Sequence, residues 1–523
     1  MSFVHPNDGF PMTRGPAVGW ARLPGPLPVD HAWVDDASWR ALCEQWHAQD
    51  GRLITLWGSD ERPAGLGFVV HAVFTYADAW HWISLATPGD RPRFSALSDL
   101  FPEAARLERA LFDLLGISCD ARDKRPWLRH EAWGPADFPL RRDFTQAAPV
   151  PKEADPYPFV RVQGAGVHEI AVGPVHAGTI EPGHFRFSVV GDEILRLEER
   201  LGYTHKGIAK RLEGMGLTDA GRLVGRVCAD STAAYAGAYA LAVEAVSACA
   251  VPPRGVWLRA LLWERERIAN HLGDLGALCQ DGGLAFGHTQ FGLLKERYLQ
   301  TQARLFGHRY LMDTIVPGGV ACDIDSAAIS DMERECTALL EATRRLRHII
   351  DDHAGLQERF LGAGRLDRTR ARALGAVGLA ARASGIHSDL RLLWPSPPYD
   401  SLKARICLQE QGDVAARVAV RFDEIEESAR LIRAILAEIP QGPVRAPCAP
   451  PKGTLGLGAV EGWRGPIVVA ITSTPECARH HVHIHDPSWQ NWPLLEHAVL
   501  LDLVPDFPLI NKSFNLAYSG HDQ

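Results

Sequence analysis

Apolar residues recur along the chain with two spacings, which predict strands near both ends and long helices between them. The runs RLITLWG at residues 52–58 and GFVVHAVFTY at residues 67–76 are rich in β-branched and aromatic residues, as strands are. Residues 102–117 place their apolar side chains approximately on one face of a helix. These features predict a small α+β domain in residues 1–148.

From about residue 206 the pattern becomes helical, with short connections between the helices. The predicted helices span residues 230–250, 253–279, 292–312, 329–355 and 423–438. Several long helices joined by short connections are typical of a helix bundle. The most apolar stretch, residues 231–251, consists mainly of small residues and contains Glu244, which favours a packed internal helix over a membrane span.

Shorter strands are predicted around this bundle. FRFSVV and EILRLEE flank Gly191 and Asp192, a pair suited to a hairpin turn. Residues 454–476 predict a second hairpin, and HHVHIHD predicts a short strand. Residues 145–158 are rich in Pro and Ala and lack apolar periodicity, which predicts a linker. The expected fold class is therefore α+β, with the small domain followed, in residues 159–523, by a domain that has a central helix bundle and peripheral β elements.

The composition excludes several classes of protein. A chain of 523 residues is too long for one hydrophobic core. Its formal net charge of −8 argues against a nucleic-acid-binding protein, which usually carries a basic stripe. The first residues lack the basic and apolar regions of a secretory signal, so a cytoplasmic location is expected. None of the ten cysteines forms a C-x-x-C pair, so no metal site or iron–sulfur cluster is predicted in this chain.

Two regions resemble known families. FPEAARLERALFDLLGI and PWLRHEAWGPADFPLRRDF resemble the small peripheral-arm subunit of respiratory complex I. Residues 159–523 resemble the large subunit of nickel–iron hydrogenases and its counterpart in complex I, the quinone-site subunit. The matching segments are GPVHAGTIEPGHFRF, GYTHKGIAKRLEG, GRVCADSTAAYAGAYALAVE, ERERIANHLGDLGALCQDGG, PPKGTLG and HDPSWQNW. The EPGHFR motif and the fusion of both regions most resemble the formate-hydrogenlyase branch of energy-converting hydrogenases.

The resemblance implies where a nickel–iron centre would lie. Family hydrogenases hold the two metals with two C-x-x-C pairs, because thiolates are soft anionic ligands that can bridge both ions. The matching positions here are Cys228 and Ser231, and Ser488 and Asn491. Three of the four thiolates are missing, so hydrogenase activity is not expected. Cys228 is interpreted as a buried thiol, and all four residues remain candidates for contact with a bound group.

Quinone chemistry is the second activity that the resemblance suggests. The complex I loop reads R-x-D-Y-x-S, and Arg226 and Ser231 match its first and last residues. However, its Asp and Tyr positions are Cys228 and Ala229 here, which disfavours ordinary quinone reduction. His176 matches the first histidine of the quinone loop, and His184 belongs to the hydrogenase-type G-H-x-R segment. Both histidines are therefore candidates for cofactor binding.

Three charged residues are the catalytic candidates. Glu181 occupies the acid position of the hydrogenase motif, where it can relay protons if burial raises its pKa, or form a structural pair with Arg186. Lys452 stands where hydrogenases carry an arginine over the metals, so it can bind an anion or neutralise Asp486. Asp230 adds an acid to the first ligand loop. If the two ligand loops converge, a polar cavity is expected between them.

The HHVHIHD strand would place His481, His483 and His485 on one face, because side chains alternate along a strand. Neighbouring imidazoles can bind a metal. A polar or subunit-facing strand is the favoured interpretation.

These observations predict the large subunit of a membrane-associated complex, similar to complex I or formate hydrogenlyase, that couples electron transfer to ion translocation without a nickel–iron centre. The expected partners are an iron–sulfur small subunit, which would carry the cluster, and ion-translocating subunits of a membrane arm. Through them the chain would lie on the inner face of the cell membrane. The alternatives are a redox-silent scaffold that couples such partners and, least favoured, an active hydrogenase.

Overall fold

The described part of the chain has a small sheet-based region followed by a larger region built on long helices. A computed structural model describes residues 18–129, 134, 136–145, 157–177, 180–448, 455–473 and 480–523. The prediction of an α+β fold with a helical centre and peripheral strands is confirmed.

The N-terminal region is organised on a five-stranded sheet in the order β1-β2-β5-β4-β3. Only β2 and β5 pair in parallel among these strands. Helix α2 packs against β3 and buries Leu107 and Leu111. The elements are β1 Ala21–Arg22, β2 Val29–Val34, α1 Asp36–Ala48, β3 Arg52–Glu61, β4 Gly67–Tyr76, β5 Ala79–Thr87, β6 Arg93–Phe94, α2 Ala104–Leu115 and β7 Ser118–Cys119.

The C-terminal region begins with the predicted hairpin, continues through the helices and ends on a second small sheet. Its elements are β8 Val167–Val172, β9 His184–Val190, β10 Glu193–Arg200, α3 Ile208–Leu212, α4 Leu217–Val224, α5 Thr232–Ser247, α6 Pro253–Asp281, α7 Ala285–Phe306, β11 Ile315–Val316, β12 Gly319–Val320, α8 Ser326–Asp351, α9 Ala354–Phe360, α10 Arg368–Ala373, α11 Gly378–Ala383, α12 Leu390–Leu393, α13 Tyr399–Leu402, α14 Val414–Glu438, β13 Leu455–Glu461, β14 Pro466–Ser473, β15 His480–His485, α15 Ser488–Ala498, α16 Phe507–Phe514 and α17 Tyr518–Asp522.

Helix α5 lies in the interior, where nearly all of its residues are buried. Strand β13 crosses it closely, and two glycines make this approach possible. A Cβ atom on Gly458 would lie 2.1 Å from the carbonyl oxygen of Ala238, and one on Gly456 would lie 2.4 Å from that of Ala242. The prediction of a packed internal helix is confirmed. No helix in the described ranges combines the length and the apolar character that crossing a membrane requires.

Two helix boundaries differ from the prediction for reasons of capping. Helix α7 ends at Phe306, because Gly307 adopts a left-handed conformation with φ 81° that stops the helix there. Helix α14 begins at Val414 rather than at residue 423. The side chain of Asp413 accepts a hydrogen bond from the Ala416 amide at 2.8 Å and so caps the helix at this earlier point.

The boundary between residues 1–148 and 159–523 remains a prediction, because most of residues 145–158 lie outside the described ranges. Limited proteolysis of the isolated full chain should cut first within residues 145–158, since a Pro- and Ala-rich stretch without apolar periodicity lacks a core to protect it. Mass spectrometry of the first fragments tests this. Earlier cleavage inside either region, with residues 145–158 intact, would contradict the boundary.

Candidate functional site

The two ligand loops identified in the sequence meet beside the start of α5. Cys228 leads into a short 3₁₀ turn, Ala229–Ser231, that runs directly into this helix. Asp486 lies between β15 and α15. The loops are linked across the interior by the Tyr235 hydroxyl, which donates a hydrogen bond to Asp486 Oδ2 at 2.5 Å. Residues more than two hundred positions apart in the chain therefore form one site.

Arg464, at the tip of the β13–β14 hairpin, lies between the groups of the first loop. Its two terminal nitrogens donate to the two carboxylate oxygens of Asp230, each at 2.7 Å. One of these nitrogens is also 3.1 Å from Ser231 Oγ and 3.8 Å from Cys228 Sγ. The sequence predicted a polar cavity at this place, whereas the structure places a guanidinium group among the three side chains.

The turn that carries Arg464 depends on glycine. Gly465 adopts φ 150°, and a Cβ atom there would lie 3.0 Å from Pro487 Cβ. The hairpin tip can therefore press against the second loop only without a side chain at this position. The Arg464 guanidinium also stacks 3.9 Å from the ring centre of Trp463, which fixes its plane.

The charges of this cluster keep its acid ionised and its thiol protonated. Burial raises the pKa of Asp230, but the Arg464 guanidinium outweighs it and holds that pKa at about 2. Burial, together with the charge of Asp230, raises the pKa of the Cys228 thiol well above its usual value. The thiol accordingly donates a hydrogen bond to Asp230 Oδ1 at 3.1 Å.

Helix α6 holds the first loop from behind. The Asn270 side-chain amide donates to the carbonyl oxygen of Asp230 at 2.6 Å, and the Trp463 indole donates to the same oxygen at 3.1 Å. Glu266 accepts hydrogen bonds from the amides of Ala233 and Ala234 at 2.6 and 3.1 Å. These contacts fix the position at which α5 begins.

The two candidates in the second loop are engaged with backbone groups. Ser488 Oγ accepts a hydrogen bond from the Ala517 amide at 2.9 Å. The Asn491 side chain bonds to both the amide and the carbonyl of Val377, each at 3.2 Å. Both residues are almost fully buried. These contacts attach α15 to neighbouring segments, which is a structural role.

A nickel–iron centre does not fit this set of donors. Cys228 is the one thiol among the four ligand positions. The neutral oxygens and amide that replace the other thiolates are weak ligands for a soft metal. The fixed positive charge of Arg464, which contacts both Cys228 and Ser231, repels a second cation at the same place.

Glu181 lies outside this cluster, on the surface side. Its carboxylate is exposed and accepts hydrogen bonds from the amide and hydroxyl of Ser519, at 3.1 and 3.2 Å. Arg186, one possible partner of Glu181, instead contacts Glu169 at 3.3 Å. Gly520 packs against the Asp486 carboxylate, so α17 connects Glu181 to the second loop. Lys452 lies outside the described residues.

The two histidine candidates close the loop that carries Glu181. His176 Nε2 lies 2.7 Å from the carbonyl oxygen of Gly183, and His184 Nδ1 lies 3.3 Å from that of Gly173. The two contacts join the beginning of the loop to its end. The structure thus places both rings against the backbone of their own loop.

The histidines of β15 face the N-terminal sheet of the same chain. His483 stacks on Trp57 with ring centres 4.5 Å apart, and its Nε2 lies 2.7 Å from Thr55 Oγ1. His485 Nε2 lies 3.0 Å from Gln490 Oε1, within hydrogen-bond distance. The favoured interpretation of a polar or subunit-facing strand is therefore replaced by a packed interface between the two regions.

A network of buried charges lies behind the hairpin tip. Arg382 contacts Glu424 at 2.7 Å and Glu461 at 2.8 Å, and all three side chains are at most 1% exposed. Arg267 joins Glu424 at 3.2 Å and donates to the carbonyl oxygen of Glu461 at 2.7 Å. His271 also contacts Glu424, at 2.7 Å. Because Glu461 ends β13, this network positions the turn that carries Arg464.

Sequence reasoning did not identify Arg464, Trp463, Tyr235 or Asn270 as parts of the site. A signal for two of them was present, since Trp463 and Arg464 stand between two glycines at the centre of a predicted hairpin. A long charged side chain at a tight, glycine-flanked turn is a candidate for insertion into a neighbouring site. Tyr235 and Asn270 gave no such signal, because they lie within regular helices.

Two family models match separate parts of the chain. Residues 32–150 match the 30 Kd subunit of respiratory-chain NADH dehydrogenase, and residues 289–454 match its 49 Kd subunit. Formate hydrogenlyase subunit 5 of Escherichia coli (strain K12) is 28% identical over 91% of this chain and 86% of its own length. The C/D subunit of NADH-quinone oxidoreductase from Phocaeicola vulgatus is 28% identical over 80% of this chain and 85% of its own length.

A solved structure has a similar fold. A chain in the structure of the membrane-bound sulfane sulfur reductase, an archaeal respiratory membrane complex, aligns with a TM-score of 0.64 and 24% identity. The alignment covers 68% of this chain and 99% of that chain. Fold and site together define a two-part chain of the large-subunit type, in which Arg464 pairs with the first ligand loop and Tyr235 links that loop to the second. The chain belongs to the fused complex I-like and hydrogenase large-subunit family.

Proposed function

We propose that this chain is the large subunit of a membrane-associated, complex I-like oxidoreductase complex that works without a nickel–iron centre. An iron–sulfur small subunit and ion-translocating membrane subunits would be its partners, and the chain would attach to the membrane peripherally through them. The similarity to subunits of formate hydrogenlyase and of NADH-quinone oxidoreductase over most of the chain supports this assignment.

The position of Arg464 carries the proposal that no metal is used. The guanidinium group supplies a fixed positive charge among Asp230, Ser231 and Cys228. Such a cluster can hold or move protons, but its side chains carry no electrons. We therefore assign electron transfer to the partner cluster. The role of this site is to respond, through its charged groups, to a change in the charge of that cluster and to transmit the response to the rest of the complex.

The purified complex should contain no stoichiometric nickel. Because Arg464 would still occupy the site, the triple variant Ser231→Cys, Ser488→Cys and Asn491→Cys should also fail to bind nickel. Elemental analysis of the native and variant complexes measures this. About one nickel per chain in the native complex would refute the proposal.

Replacing Arg464 with methionine should leave the complex assembled but slow electron transfer through it about tenfold or more. Loss of the ion pair leaves Asp230 without its main partner, at an expected cost of about 1–3 kcal/mol in the free energy of unfolding. Reoxidation of the reduced partner cluster, followed by electron paramagnetic resonance, measures the functional loss. The control is Arg345→Met, since Arg345 is 72% exposed on α8.

A redox-silent scaffold is the second candidate function. The full engagement of Ser488 and Asn491 with backbone groups favours it, because these residues then serve packing alone. Arg464→Met and Glu181→Gln, each in an assembled complex, distinguish the two functions. Unchanged reoxidation kinetics in both would favour the scaffold, whereas slower reoxidation in either would favour a working site.

A further inference from the structure

A cleft of about 390 Å³ lies between the N-terminal sheet and α10, away from the Arg464 cluster. Its volume is within the range of pockets that hold small ligands. Both regions of the chain contribute charged side chains to its wall. Asp50, Arg52 and Glu103 come from the N-terminal region, and Arg368 and Arg372 come from α10.

Three guanidinium groups converge on this cleft. Arg52 is anchored at the wall by a hydrogen bond of 3.3 Å to the carbonyl oxygen of Ala376. Burial, together with the positive charge of Arg372, lowers the pKa of Arg52. The two arginines are therefore close enough to repel each other. Arg368 precedes Arg372 by one helical turn and is exposed. A bound anion would offset this repulsion.

Glu103 is the buried acid of the cleft. It is 7% exposed, and burial raises its pKa to about 7. Gly375, with φ 72°, makes room for its carboxyl group, since a Cβ atom there would lie 2.7 Å from it. Near neutral pH a large share of Glu103 is therefore protonated. A protonated carboxyl can donate a hydrogen bond to an anion, whereas the ionised form would repel it.

Two further titratable groups line the cleft. Asp50 pairs with Arg372 at 2.8 Å, and its side chain is 78% exposed, so solvent screens much of its charge. His47 packs edge-on against Phe101, with ring centres 5.3 Å apart. Both groups face the same space as Glu103. Any variant used to measure the effect of pH on binding must therefore retain them.

We propose that this cleft binds a small phosphorylated anion, held by Arg52, Arg368 and Arg372 together with the carboxyl group of Glu103. A phosphoryl group fits better than a carboxylate. It offers three terminal oxygens in a tetrahedral arrangement to donors that approach from several directions, while a carboxylate offers two in one plane. Because the donors come from both regions of the chain, the ligand would tie these regions together.

Equilibrium dialysis of the full chain with inorganic phosphate, at constant ionic strength and pH 7, tests the site. The double variant Arg368→Ala and Arg372→Ala should weaken binding about tenfold or more, because two charged donors are lost. Both residues are exposed, so the fold should tolerate the change. Arg345→Ala is the matched control. Absence of binding, or equal binding by native protein and double variant, would overturn the proposal.

The role of Glu103 has its own test. Sulfate is the probe here, because its charge stays constant between pH 6 and pH 8. Native protein should bind sulfate several-fold more weakly at pH 8, while Glu103→Gln, which retains Asp50 and His47, should show a clearly smaller change. An equal change in the two proteins, or none in native protein, would overturn this part. Adenosine monophosphate and glycerol phosphate, compared in the same assay, then distinguish a nucleotide from a smaller phosphorylated metabolite.

Discussion

Replacing Arg382 with methionine is expected to lower the free energy of unfolding by about 3–5 kcal/mol, since a buried ion pair loses one partner. The Arg382 side chain is fully buried and contacts Glu424, Glu461 and, at 3.9 Å, Asp389. Burial raises the pKa of Glu424, but the charge of Arg382 more than offsets this and holds that pKa well below its usual value. Without Arg382, the remaining positive charge is too small to neutralise these three buried carboxylates.

Chemical denaturation of the full chain measures this loss. Arg345→Met is the control, because Arg345 is exposed and its nearest acid, Glu341, is 4.0 Å away. It should change the stability by less than about 0.5 kcal/mol. The Arg382 variant should also lose the function of the complex, since Glu461 positions the hairpin tip that carries Arg464. Equal stabilities of the two variants would show that the buried network contributes nothing.

The protein is also expected to lose stability as the pH falls from 6.5 to 4. His31 and His485 are 6% and 1% exposed, and burial lowers the pKa of each to about 4. A histidine in the unfolded chain takes up its proton at about pH 6.5, the usual pKa of this side chain. Between these values the unfolded chain binds more protons, so the free energy of unfolding decreases as the pH decreases. Each residue contributes a loss of about 3 kcal/mol over this range.

Buried acids act in the opposite direction and must be separated from this effect. Burial raises the pKa of Glu266 to about 8, so its protonation stabilises the folded state as the pH falls. Glu266 is present in both native protein and the His485→Gln variant. The difference between their free energies of unfolding therefore excludes its contribution. The introduced glutamine cannot titrate, so the variant should lose about 1.4 kcal/mol less per pH unit between about pH 4 and pH 6.5. Parallel stability curves would contradict the prediction.

The sequence was sufficient to predict the five longest helices and most of the longer strands, because their periodicity is a local property. Helix α5 illustrates this, since its small residues and Glu244 indicated an internal helix, and Glu244 pairs with Arg259 at 2.5 Å in the interior. Helix ends were predicted less well. The start of α14 depends on a single cap at Asp413, whereas apolar spacing alone suggested a later start.

The sequence also identified the positions from which thiolates are missing, because each loop carries a recognisable local motif. It placed Cys228, Asp230 and Ser231 in one loop and Ser488 and Asn491 in the other. The roles assigned to them depended on an expected cavity. The sequence of either loop does not show which side chains from elsewhere in the chain lie against it.

The tertiary structure decided which side chain lies against the first ligand loop. Arg464 follows Asp230 by more than two hundred residues, and it reaches that carboxylate only because β13 packs on α5 through Gly456 and Gly458. Periodicity and motifs determine elements and candidate positions, but the distance between two charges depends on how those elements pack. For this protein, that packing brings Arg464 into an ion pair with Asp230 in the first ligand loop.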